Sequence, residues 1–139
     1  MNEFKFCDIS VGLKWAFTKK LEQADINQFI IISSDNNPLH TDEIYAREKK
    51  FDDIVIHGLL TTSLYSALVG VYLPGKYSLL HEINITFKNP AYCHDIFHIE
   101  GEIIYINYAY KQVEIKAFIK NQNGNKISNA KIKVGMIDE

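Results

Sequence analysis

The sequence predicts an α+β fold in which an antiparallel sheet wraps around one apolar helix. Three observations lead there. Strand-like alternation is concentrated after residue 82, helical patterns are confined to residues 24–71, and one of those helices is apolar nearly all round. A helix without a polar face belongs in an interior, and a run of antiparallel strands is the element able to enclose it. With 139 residues, 47% hydrophobic and 23% charged, the chain is expected to be one domain spanning 1–139. No repeat, low-complexity segment or linker-like stretch interrupts it.

Taken in order, Trp15-Ala16-Phe17-Thr18-Lys19 alternates large apolar with small or polar residues, the period of a strand. Ala24 to Ser33 reads as a helix, with Ile26, Phe29, Ile30 and Ile31 brought towards one side. Ser34 to Thr41 is polar and expected to be irregular, and a short charged helix is expected near Asp42 to Lys49. The apolar helix runs from Gly58 to Val71 and is expected to be buried. Glu82 to Lys88 alternates in period two and is ended by Asn89-Pro90, and His98 to Tyr105 and Val113 to Lys120 repeat the pattern. Asn123-Gly124 predicts a two-residue hairpin turn, since both positions tolerate φ > 0, and Lys126 to Met136 is the last strand.

The formal net charge of −2 gives no general attraction for nucleic acid or anionic membrane, and neither is expected as a partner. Uninterrupted apolar runs such as Phe29 to Ile32 are far short of the ~20 residues that cross a bilayer. The first residues lack the basic start and long apolar stretch of a signal peptide. Two cysteines, Cys7 and Cys93, make no disulfide framework and read as free thiols in a reducing cytoplasm.

Two clusters can carry chemistry. In Ser33-Ser34-Asp35-Asn36-Asn37-Pro38-Leu39-His40-Thr41-Asp42, Asp35 and His40 lie five apart across a segment that Asn-Pro bends away from helix. A carboxylate and an imidazole on a constrained loop can converge on one water molecule. The same residues equally describe an Asx turn, with Asp42 capping the next helix. In the second cluster, His57-Gly58-Leu59-Leu60, a glycine opens the apolar helix, where backbone N–H groups lack partners. Such an end, helped by the helix dipole, can hold an oxygen on which negative charge develops. Alone, Gly58 merely starts a helix, and Thr61, Thr62 and Ser63 cap or pack. Cys93-His94 with His98 has metal-like spacing, but a zinc site needs four ligands, or three and water, and no further Cys/His pair supplies them. No metal is expected. P-loop, G-x-G-x-x-G and G-x-S-x-G motifs are absent from the sequence.

The clusters together carry a resemblance. Asp-x-Asn-Pro-x-His, about sixteen residues before His-Gly-(apolar)-Leu with a serine further on, resembles the MaoC-like (R)-specific enoyl-CoA hydratase and 3-hydroxyacyl thioester dehydratase family. Matching pieces at Tyr45-Ala46, Phe51, Ile54 to Ile56 and Ile83 to Pro90 extend it over about residues 10 to 135. The resemblance implies a hotdog fold, a bent antiparallel sheet around a long central helix, usually in a homodimer. It implies Asp35 and His40 as the catalytic pair, Asn37 bracing their loop, and Gly58 N–H polarising the thioester carbonyl. It also implies that Ser63 supports the catalytic carboxylate and that His57 is structural or lines the substrate. The implied substrate is an acyl-CoA or acyl-carrier-protein thioester, with no separate cofactor. Ser34 stands where the family typically has glycine. Two other readings are a hotdog thioesterase, which would direct water at the thioester carbonyl, and a non-catalytic acyl-thioester-binding protein.

Overall fold

The computed structural model describes residues 1–138. Five antiparallel strands, β1 (Lys14–Lys20), β2 (Ser78–Phe87), β3 (Ile96–Asn107), β4 (Gln112–Lys120) and β5 (Lys126–Met136), form one sheet in the order β1-β3-β4-β5-β2. Alternation decides which face is buried. In β4 the residues Val113, Ile115, Ala117 and Ile119 point inward and are buried, and Phe97, Ile99 and Ile103 do the same from β3. Opposite them lie Leu64, Tyr65 and Leu68 from the apolar helical segment, in one contiguous core. Each fully buried Leu or Ile there contributes roughly 1.5–3 kcal/mol of transfer free energy.

The central helix is not the single element expected. It is a helical rod in three pieces: α4 (Gly58–Thr62), α5 (Leu64–Ala67) and a π-helical turn at Leu68–Tyr72. The hydroxyls of Thr61, Thr62 and Ser63 donate to the carbonyls of Gly58, Leu59 and Leu60, three residues back, at 2.6, 3.3 and 2.6 Å. Three successive back-bonds compete with the regular ladder and interrupt it at Ser63. Further on, Leu73 N–H donates to Leu68 O five residues back, which widens the turn. Nor is the rod buried all round, because Leu59 (67% exposed), Ser63 and Ser66 form an open stripe.

The remaining helices lie between β1 and this rod. Helix α1 (Gln23–Ser33) buries Ile26, with Phe29 and Ile30 packed against the core. Ile31, expected on that side, is 80% exposed, since it lies about 140° around the helix from Ile26. Residues 34–37 are irregular as expected, but Pro38–Thr41 forms a helical turn, α2. Proline at its first position is already set to a helical φ, and the Asn37 side chain accepts from Leu39 N–H at 2.9 Å. Helix α3 (Glu43–Glu48) is capped by Asp42, as expected.

The β4–β5 connection also differs. It has five residues, 121–125, and only Gly124 has positive φ (76°). Asn121 Oδ1 accepts from the N–H groups of both Asn123 and Asn125, so a side-chain bond replaces the two-residue turn. No helix among the described residues is long and apolar enough to cross a membrane.

Candidate active site

The Asp35 loop begins where α1 ends. Ser34 closes that helix in the left-handed region (φ 63°), and its N–H donates to Ile30 O. This explains why glycine would sit well here, since a side chain at such a φ costs roughly 1–2 kcal/mol. Asp35 Oδ1 then accepts from Asn37 N–H at 3.2 Å, so the Asx turn is present. That bond leaves the second oxygen free. Asp35 Oδ2 faces His40 Nε2 at 3.9 Å and His57 Nε2 at 4.0 Å. The turn and the pair are two uses of one carboxylate.

His40 is held from its far side. Its Nδ1 lies 2.6 Å from Val55 O, an acceptor only, so Nδ1 carries the hydrogen of that bond. Nε2 is thereby the nitrogen presented to Asp35. Val55 is fixed in turn, its N–H donating to Leu39 O while Ile56 N–H donates to Ala91 O. The gap of 3.9 Å between His40 Nε2 and Asp35 Oδ2 is too long for a direct hydrogen bond and short enough for one water to touch both.

His40 lines a cavity of about 300 Å³ whose wall includes Gly58, Thr61, Phe87, Lys88 and Ile127. Asp35 stands outside that lining, with its side chain 48% exposed. The first two N–H groups of α4, those of Gly58 and Leu59, take no acceptor among the described residues. An added Cβ at Gly58 would lie 2.7 Å from Phe87 Cε1, so only glycine lets that ring close over the start of α4. The cavity wall is mostly apolar, with His40 as its titratable polar contact and Lys88 as its cation.

The structure thus brings Asp35, His40, His57 and Gly58 into one region, with Asn37 capping the turn that carries His40. It does not bring Ser63 to Asp35: the Ser63 hydroxyl is spent on Leu60 O, and the residue is exposed on the rod. Two residues make site contacts that the sequence does not signal. Val55 acts through its carbonyl, which no side-chain pattern reveals, and Phe87 looked like one more residue of an alternating strand.

Among the described residues, two groups offer three metal-type donors. Asp35, His40 and His57 do so at the site itself, but His57 Nε2 lies 2.8 Å from Asp35 O and is committed there as a donor. Elsewhere Glu22, Cys93 and His94 cluster, with His94 Nδ1 2.7 Å from Glu22 Oε2. Burial, and after it the Glu22 charge, push the Cys93 thiol up, away from the thiolate a metal requires. His98, grouped with Cys93 and His94 by spacing, instead faces Glu100.

Comparison with known proteins gives the family and the fold. The family profile described as MaoC like domain matches residues 10–120. An (R)-specific enoyl-CoA hydratase of Aeromonas caviae is 36% identical over 95 residues, covering 68% of this chain and 71% of that one. A 3-hydroxybutyryl-CoA dehydratase of Methylorubrum extorquens is 33% identical over 98 residues, covering 70% and 62%. The unliganded R-hydratase PhaJ1 of Pseudomonas aeruginosa superposes with a TM-score of 0.90 at 25% identity, covering 97% of this chain and 86% of that one. The wrapped sheet is therefore the hotdog fold, and this chain belongs to the MaoC-like family.

Proposed function

We propose that this chain is a hydro-lyase that adds water to trans-2-enoyl thioesters with (R) specificity, or removes it from 3-hydroxyacyl thioesters, through Asp35 and His40. The observation that carries the reading is the water-sized gap between Asp35 Oδ2 and His40 Nε2 at the edge of a mostly apolar cavity. The names of relatives in this family, enoyl-CoA hydratase and 3-hydroxybutyryl-CoA dehydratase, support the same chemistry.

In the hydration direction one water is held between the pair. One member takes its proton as the oxygen bonds to C3, and the C2–C3 π electrons move toward the thioester oxygen. Gly58 N–H, without a protein acceptor, stabilises that oxygen, a contribution typically of about 3 kcal/mol or more. The pair then returns a proton to C2 on the same face, so water is added with no net loss of protons. The addition is redox-neutral, so it calls for no electron carrier, and CoA or acyl carrier protein enters only as part of the substrate. His57 serves the site as structure, not as an acid or base.

The working unit in this reading is a homodimer of one-domain chains. Strand β2 is an open sheet edge, and Leu79, Leu80 and Phe87 on it are about half exposed. An edge of that length with apolar side chains calls for a partner. Two free thiols fit a reducing cytoplasm.

The test is turnover of crotonyl-CoA by the Asp35→Asn and His40→Ala variants. Each is expected to lower kcat by at least ~100-fold with the fold intact. Folded variants that keep near-normal turnover would refute the assignment.

A further inference from the structure

His57 is a buried imidazole beside the pair, and the chemistry above gives it no proton to move. It is 2% exposed. Its Nε2 lies 2.8 Å from the Asp35 carbonyl oxygen, which only accepts, so Nε2 carries the hydrogen. Its ring stacks on that of His40, centroids 3.8 Å apart and planes at 25°, while Phe29 closes the other side edge-on at 4.9 Å. Nδ1 is buried and has no partner among the described residues, so a hydrogen there would be a donor without an acceptor.

The Asp35 loop depends on this contact. Among the described residues, every other hydrogen bond of residues 33–37 joins partners no more than five positions apart. The His57 bond, spanning 22 positions, is the one that fastens the loop to the rod. Such local bonds hold the shape of the turn, and α2 beside it is tied to Val55 through Leu39 O and His40 Nδ1, so the His57 bond adds the direct tie at Asp35 itself. The His57 carbonyl, meanwhile, accepts from Leu60 and Thr61 and so starts α4 beside Gly58. One residue thus touches the backbone of Asp35, the ring of His40 and the peptide of Gly58.

We infer that His57 is a positioning residue that sets the separation of Asp35 from His40, chiefly by donating to the Asp35 backbone while its ring lies against that of His40. Its kinetic consequence rests on the hydration reading. A displacement of about 1 Å in such a pair is enough to cost roughly 100-fold in rate.

Two variants separate the contacts. His57→Phe keeps a flat ring against His40 and loses the donor. His57→Gln loses the ring and keeps an amide N–H near the Nε2 position. With crotonyl-CoA, His57→Phe is expected to lower kcat by roughly 30-fold or more with KM within about threefold, whereas His57→Gln recovers most of that loss. Equal losses in both variants, or a His57→Phe protein with normal kcat, would overturn the inference. Ring nitrogen NMR of the unaltered protein tests the geometry without turnover. The inference expects hydrogen on Nε2 of His57 and Nδ1 of His40, and His57→Phe is expected to shift the backbone amide signals of residues 34–37. Hydrogen on Nδ1 of His57, or unmoved loop amides, would overturn it. Absence of turnover alongside the expected NMR result would instead remove the hydration reading alone.

Discussion

Replacing Gly58 by alanine adds one methyl group at the start of α4, and the structure says where that methyl goes. Gly58 has no positive φ, so alanine fits the backbone, but its Cβ would lie 2.7 Å from Phe87 Cε1 and 3.1 Å from Cζ. To reach ordinary contact the ring must retreat by about 0.7 Å. Phe87 is half exposed on an edge strand, so the retreat is cheap, and the stability cost is expected to stay below about 1 kcal/mol. Activity is expected to suffer more, because the methyl stands beside the N–H assigned to the thioester oxygen. Moving the oxygen off that donor is expected to cost about 2–3 kcal/mol of transition-state stabilisation, or 30- to 150-fold in kcat/KM. The assay is crotonyl-CoA hydration together with thermal unfolding, for Gly58→Ala, Phe87→Ala and the double variant. If crowding against Phe87 is the cause, the double variant recovers part of the loss, a coupling expected between residues in contact. Normal turnover in Gly58→Ala would refute the role given to Gly58. A loss that Phe87→Ala leaves untouched would refute the crowding argument.

The other predictions concern stability and assembly. Tyr65→Phe leaves the fully buried Ser128 hydroxyl without its 2.8 Å partner and should cost about 1 kcal/mol or more at neutral pH, measurable by denaturant unfolding. Burial pushes the Tyr65 phenol up from 10.0 to about 12, against a smaller lowering by Ser128. Its stabilising effect is therefore full below pH 10 and fades as pH rises from 10 towards 12, by up to about 2–3 kcal/mol, a decline that Tyr65→Phe should lack. Asp42→Ala removes the acceptor shared by Ile44 and Tyr45 N–H and should cost about 1 kcal/mol, read as a lower Tm. Leu80→Glu puts charge on the open edge of β2 and should shift the protein to monomer in sedimentation equilibrium, and an unchanged mass would refute that interface.

The strands were legible in the sequence because period-two alternation is a local property. β4 and β5 carry it almost from end to end, and the order of one strand, then helices, then a run of strands follows from where each pattern lies. The interruption of the central rod was not legible. It depends on whether hydroxyls at 61, 62 and 63 bond water or the carbonyls three residues back, which composition does not decide. Asn123-Gly124 misled because it supplied the turn signal while Asn121, two positions earlier, controls the loop. At the site, Asp35 and His40 read locally as a turn as readily as a catalytic pair, and Gly58 as a helix start, so it is the resemblance carried by the two clusters together that singles them out. The role of His57 could not be read that way, because its contacts, the Asp35 carbonyl and the His40 ring, come together only on folding. Ser63 shows the converse, a serine suitably placed in sequence whose hydroxyl turns to its own helix.

The most direct measurement follows crotonyl-CoA at the enoyl-thioester absorbance band with the unaltered protein, while a thiol reagent monitors free CoA. Loss of absorbance with no thiol released is the predicted result, since water then adds across the double bond and the thioester survives. Thiol released in step with the absorbance change, or no change with crotonyl-CoA, longer enoyl-CoAs or carrier-bound enoyl groups, would contradict it.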